Sequence, residues 1–344
     1  MNQIKNKKGE IIAIKPKFNW KEWLIENALV VVIILMCIYT AVVANNFVSF
    51  NNLKNILANV SVRFIIALGV SGCLIIRGTD LSAGRIVGIT AVTTAILLQR
   101  PDAPGVLYPS VAGSPILVTL LVAMGVGLMF GLFNGLVIAK LHVPPFIATL
   151  GTQIAIYGLN MMLSKNQPIG SLNTTFSKFG AQGIKLGAVY IPYIAFIALA
   201  VGVFMYMLYR FTLYGKHMYA IGGNEIAAEV SGVNTTKSKI VIFTLAGALY
   251  GLAGFLLTAK TGSAAVSAGT GYELEAIAAA TIGGVSTAGG VGKVTGILVG
   301  VLVFELLKTC LQFLGITPEM TNVFQGLVIV VAVALDIRKT MRRR

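Results

Sequence analysis

The sequence predicts an all-α integral membrane protein, a glycine-rich bundle of about ten transmembrane helices with both termini cytoplasmic. Three observations predict it. Hydrophobic residues make up 56% of the 344 and charged ones only 11%, with a mean hydropathy of +0.84, whereas a soluble chain carries about a quarter of its residues as charges. Ten apolar runs approach the roughly 20 residues needed to cross a bilayer as helix. Lysine and arginine gather on one side of those runs.

In order, the runs are 28–48, 54–76, 83–99, 116–139, 146–163, 189–209, 240–259, 274–288, 294–314 and 320–336. The first passes into Asn45 and Asn46 without a small-residue cleavage site, so it reads as a span and not as a removed signal. The eighth is short and glycine-rich, and its bounds are the least defined. With the N-terminus inside, 19 of the 27 basic residues are cytoplasmic. These are the six N-terminal lysines, Arg77, Arg85, Lys140, Arg210, Lys216, Lys237, Lys239, Lys293 and the five of the tail. Six (Lys54, Arg100, Lys165, Lys178, Lys185 and Lys260) fall outside, and Arg63 and Lys308 fall within spans. The chain thus divides into a cytoplasmic segment 1–27, a transmembrane domain 28–336 and a basic cytoplasmic tail 337–344. The net charge of +15 is topological, which removes the nucleic-acid reading.

Two connections are long, 164–188 outside and 210–239 inside. In the inner one Gly222 and Gly223 break a helix, Asn224 can cap another, and Glu225 to Val230 gives about two turns with Ile226, Ala227 and Val230 on one side. This is a docking element or an interfacial connector.

Chemistry of the soluble-enzyme kind is missing from the sequence. His142 and His217 lie in different loops, and Cys37, Cys73 and Cys310 each sit within apolar runs as packing residues, so no catalytic, cofactor or metal-ligating set is predicted. GGVGKV at 289–294 fails as a phosphate loop because Val294 stands where a hydroxyl must reach magnesium. Any ATP must be hydrolysed by another subunit.

Small residues four apart, Gly127 with Gly131 and Gly247 with Gly251, predict close helix contacts. RGTDLSAGR (77–85) and GGVSTAGGVGK (283–293) interrupt the apolar pattern as broken helices do beside a pathway, and share a faint resemblance that an internal repeat or two tight turns would explain. Charges at membrane depth are functional candidates by default. The pathway candidates are accordingly Arg63, Asp80, Ser82, Glu273, Glu275 and Ser286, with Asn134, Thr149 and Thr152 as uncharged partners for a hydroxylated solute or for other helices. Asp80 is expected to pair with Arg77 or Arg85, and Glu305 with Lys308 three residues on.

These residues resemble the permease subunits of bacterial ABC sugar importers, in the ribose and galactose branch, from about Asn51 to Asp336. The resemblance rests on GTDLSAGR at 78–85, PPFIATLGT at 144–152, YGKHMYAIGGNEIAAEVSGVN at 214–234, YELEAIAAATIGGVSTAGGVG at 272–292 and VAVALD at 331–336. Within the branch, Arg63, GTDLSAGR and AIGGN resemble the galactose/methyl-galactoside form more than the ribose form. The resemblance implies a ten-helix importer permease that pairs with a second copy of itself. It implies a cytoplasmic ATP-binding cassette subunit holding ATP and magnesium, a periplasmic or lipid-anchored sugar-binding protein, and a sugar substrate crossing the plasma (inner) membrane. It places coupling to the ATP-binding subunit at Tyr214, Gly215, Gly222, Gly223, Asn224, Glu225, Ala227, Ala228 and Gly232. The other reading is an ion- or proton-driven carrier using Asp80, Glu273 and Glu275, and within the importer class ribose or a nucleoside is the other substrate.

Overall fold

A computed structural model of the chain describes residues 3–5, 11–13, 28–187 and 189–343. Most of the lysine-rich segment 1–27 and the last residue of the basic tail lie outside the described residues. Strand β1 (Gln3–Lys5) pairs antiparallel with β2 (Ile11–Ala13). Helices α1 (Ala28–Val43), α2 (Phe50–Ile75), α3 (Ala83–Leu98), α4 (Ile116–Lys140) and α5 (Pro145–Ser164) follow. The long outer connection forms a short helix α6 (Thr174–Ala181) and a hairpin, β3 (Gly183–Leu186) with β4 (Val189–Pro192). Then come α7 (Tyr193–Phe211), α8 (Leu213–Gly223), α9 (Glu225–Val230), α10 (Thr235–Thr261), α11 (Tyr272–Ile282), α12 (Val294–Phe313) and α13 (Pro318–Arg343).

Among the described residues six helices, α2, α4, α5, α7, α10 and α12, are long and apolar enough to cross a membrane. Val30–Val43, Ala83–Leu98 and Pro318–Ala334 are shorter apolar stretches. The eighth predicted span is corrected: its helix has 11 residues, about 16 Å of rise and half a bilayer. Gly283 and Gly284 end it, the latter at φ +85°, and the chain continues as turns to Val294.

Helices α2 and α10 form the centre, 83% and 78% buried over their apolar windows, against 22–28% for α4, α5 and α7. They run antiparallel, since Gly69 meets Tyr250 and Ala246 while Gly72 meets Ile242. The predicted small-residue pairs oppose each other across α4 and α10: a Cβ on Gly127 would lie 2.2 Å from the Gly247 carbonyl, and one on Gly251 2.4 Å from that of Ala123. Such approach gives helices the van der Waals contact that drives their association in lipid. Cys37 of α1 and Cys310 of α12, read from the sequence as separate packing residues, bring their sulfurs within 3.5 Å of each other as free thiols.

Helices α3 and α11 start inside the bundle. Asp80, just before α3, interacts with Tyr250, which lies level with Gly69 of α2. Glu275, in the first turn of α11, pairs with Arg63 of α2. From these starts the helices diverge. Ala91 of α3 approaches Thr258, near the end of α10 where Lys260 meets Asn59. Helix α11 leads instead to Gly290 and Gly292, against Ile75. Each short helix follows a long buried helix and precedes two more, so the same order occurs twice with inverted direction. The steps Ser82-Ala83-Gly84 and Ser267-Ala268-Gly269 meet there, a Cβ on Gly84 lying 2.3 Å from the Gly269 carbonyl.

Candidate functional site

Five of the predicted pathway residues form one buried chain around the start of α3. The Asp80 Oδ1 accepts from the Ser82 hydroxyl at 2.6 Å and the Ser82 N–H at 3.0 Å. Asn134 Nδ2 donates to the Ser82 hydroxyl at 2.9 Å, and the Thr152 hydroxyl donates to Asn134 Oδ1 at 2.6 Å. The Thr149 hydroxyl accepts from the Leu81 N–H and donates to the Thr79 carbonyl. These polar groups tie α3, α4 and α5 together, while the Asp80 Oδ2 is buried without a hydrogen-bond partner. The expected pairing of Asp80 with an arginine does not form, because Arg77 and Arg85 are held elsewhere by the turn that carries Asp80 inward.

A second group lies between α2, α11 and α12. Arg63 Nε meets Glu275 at 2.7 Å and its Nη1 meets Glu305 at 2.9 Å, while the guanidinium sits 5.2 Å from the Tyr272 ring centre. Lys308 reaches Glu275 at 3.3 Å, Asn59 donates to Glu305 at 2.6 Å, and Lys260 bonds Asn59. The predicted Glu305–Lys308 pair is therefore corrected: spacing put them on one face of α12, and each takes a partner from another helix. Arg63, Tyr272 and Glu275 line a small cavity with Ile66, Ala276 and Phe304. Glu273 turns the other way, its Oε2 buried where a Cβ on Gly84 would lie 2.0 Å from it.

The 210–239 connection has the predicted shape. A Cβ on Gly215 would lie 1.9 Å from the Tyr209 carbonyl, so glycine permits the sharp turn from α7 into α8, where Tyr214 stacks beside Tyr209. Asn224 caps α9 by accepting from the Ala227 N–H at 3.0 Å, and Glu225 pairs with Lys239 at 2.5 Å. Gly232, at φ +87°, turns the chain back toward α10. Ile226 and Val230 are 76% and 86% exposed, whereas Ala228 is buried against the loop itself.

The sequence offered Arg77 only as a cytoplasmic charge and as a partner for Asp80. Its Nε donates to the Gly222 carbonyl at 3.0 Å and its Nη2 to that of Gly223 at 2.7 Å, closing the end of α8 as cations do at helix C-termini. Gly290 N–H donates to the Ile75 carbonyl at 2.8 Å, and the Tyr219 hydroxyl to that of Gly292 at 2.7 Å. Burial raises the Tyr219 hydroxyl above its ordinary pKa, which keeps it a donor. Gly222 itself fits against Ile75 and Gly290, with no room for a Cβ. The helix hairpin α8–α9 is thereby fastened to both interrupted segments, 77–82 and 283–293. Ser286 belongs to the latter, where its N–H donates to the Val291 carbonyl. Its signal in the sequence was Arg77 at the end of an apolar run, a residue held at φ +61°.

The family model described as "Branched-chain amino acid transport system / permease component" matches residues 52–333. The galactose/methyl galactoside import permease of Escherichia coli (strain K12) is 41% identical over 331 residues, 95% of this chain and 98% of that one. The corresponding permease of Haemophilus influenzae (strain ATCC 51907 / DSM 11121 / KW20 / Rd) is 40% identical over 93% of this chain and 96% of its own length. The ribose import permease of Escherichia coli (strain K12) is 35% identical, over 93% and 96% respectively. No solved structure matches the chain. Matched from 52 to 333 and nearly end to end by such relatives, the chain belongs to this family of membrane-spanning transport permeases.

Proposed function

We propose that the chain is the membrane pathway of an ATP-driven importer for galactose or methyl galactoside in the bacterial plasma membrane. It works as a homodimer, receives sugar from a binding protein and is driven by a separate cassette subunit that binds ATP and magnesium. The observation that carries the substrate is the 41% identity to a galactose permease, against 35% to a ribose permease over nearly the same length. In this reading the short helices α3 and α11 count as spans and complete a ten-helix topology with both termini inside. The domain division 1–27, 28–336 and 337–344 follows from it.

The α8–α9 hairpin is the coupling element. Ile226 and Val230 offer apolar side chains to a cleft in the ATP-binding subunit, while Gly222, Gly223, Asn224, Glu225 and Ala228 hold the hairpin's shape. Closure of that subunit on nucleotide then moves the hairpin, and through Arg77, Tyr219 and Gly290 moves both interrupted segments. The ion-driven reading loses support at Glu275, whose carboxylate is paired with Arg63 and Lys308.

The test is uptake of labelled galactose, glucose and ribose into liposomes holding this chain, its ATP-binding partner and the matching binding protein, omitting each in turn. Galactose uptake is expected only with all three and ATP. Gradient-driven uptake by the chain alone would overturn the proposal. Ile226→Asp with Val230→Asp should abolish uptake while leaving the protein inserted, measured by membrane yield alongside transport.

A further inference from the structure

Arg85 is the third residue of α3 and lies thirteen residues before Leu98, about 20 Å along the axis. That places it within a hydrocarbon layer of about 30 Å and not in the cytoplasmic connection to which the charge pattern assigned it, about two-thirds of the way in from the outer end of α3. Yet it is only half-buried, and among the described residues no carboxylate lies within ion-pair distance of it, the nearby Glu273 feeling its charge without a direct contact. Its Nη1 donates to the Thr270 hydroxyl at 3.0 Å on the open side of the bundle, and its guanidinium carbon sits 4.5 Å from the ring centre of Tyr157. Tyr157, on α5, is itself 40% exposed. Thr270 belongs to the segment that meets α3 at Gly84 and Gly269.

An open guanidinium at this depth cannot face lipid; it faces water or passing solute. The pathway candidates of the α3 chain, Asp80, Ser82, Asn134, Thr149 and Thr152, are buried, whereas this corner presents polar groups on an open surface. Its chemistry is specific. Arg85 has several donors to spare and no acceptor, Thr270 both gives and accepts, and Tyr157 offers an apolar ring beside a hydroxyl. A neutral ring compound with hydroxyls on its edge and C–H groups on its face meets all three.

We infer that Arg85, Tyr157 and Thr270 form a contact that a neutral, hydroxyl-rich solute meets within the membrane, an inference that rests on the importer reading. The complete importer, assembled in liposomes from a cysteine-free form of this chain, is used to test it. Arg85→Cys, Tyr157→Cys and Thr270→Cys are exposed one at a time to a charged methanethiosulfonate reagent, with Leu199→Cys on the outer face of α7 as the lipid-facing control.

Labelling is expected at the three positions and not at Leu199, slowed about fivefold when galactose is being transported, as expected of a group the solute covers. Rates no greater than at Leu199, at all three positions, would overturn the assignment, and labelling indifferent to sugar would overturn contact with the solute. Three separate positions keep the test decisive if one variant fails to assemble. Failure of the unsubstituted complex to import galactose would refute the importer reading instead, because reagent access reports the water-facing surface whatever the solute.

Discussion

Gly131 and Gly247 lack side chains for a reason that distances make explicit. A Cβ on Gly131 would sit 2.3 Å from the Phe243 carbonyl, and one on Gly247 2.2 Å from that of Gly127. Gly131→Leu is expected to cost about 1–3 kcal/mol through overpacking, whereas Gly125→Leu, with nothing within 4 Å of its added Cβ, should change stability by less than about 0.5 kcal/mol. Thermal unfolding in detergent compares the two. Arg63→Met leaves Glu305, 2% exposed, without its cation and is expected to cost about 3–5 kcal/mol, most of it recovered in Arg63→Met with Glu305→Met; a double-mutant cycle by the same unfolding assay checks this. At this scale the sequence revealed which residues mattered better than what they touch. Arg63 and Glu275 stood out as charges within apolar runs, but 212 positions separate them, and local spacing instead suggested Glu305 with Lys308. The rotation of α12 about its axis, set by α2 and α11, decides between the two and leaves no trace in spacing.

The α8–α9 hairpin is legible residue by residue, because helix ends are local: two glycines stop one helix and Asn224 caps the next. Half-helices are harder to see. The eighth apolar run gave itself away by being short, but the segment 262–271, which looks like an outer loop, turns inward along α3 through contacts only tertiary structure supplies. The matching Ser-Ala-Gly steps were present in the sequence, and were hidden by the assumption that a segment after a full span lies at the surface. The fastening of α8 to both interrupted segments carries a prediction of its own. Arg77→Ala should lower uptake about tenfold or more while Arg77→Lys, which can reach one carbonyl but cannot fork to two, restores only part. ATP hydrolysis measured alongside transport should persist in Arg77→Ala without its stimulation by the binding protein, a split that simple unfolding does not produce.

For the molecule as a whole, the charge asymmetry of the sequence predicts a sidedness that fusions and labelling can test. A green fluorescent protein fused after residue 344 should fluoresce and alkaline phosphatase there should be inactive, while a cysteine at Lys178 should react with an impermeant maleimide from outside. The reverse pattern would invert the orientation. The Arg63 cluster, finally, imposes a schedule on synthesis. Glu275 leaves the ribosome 212 residues after Arg63, about 10–40 s at bacterial elongation rates of roughly 5–20 residues per second. Throughout that interval α2 is in the membrane with a bare guanidinium, which insertion scales penalise by about 2.5–3.5 kcal/mol. The helix therefore has to linger beside the translocation machinery or keep a thread of water, and the newborn chain is most exposed to quality-control proteases in the window that closes when α11 arrives.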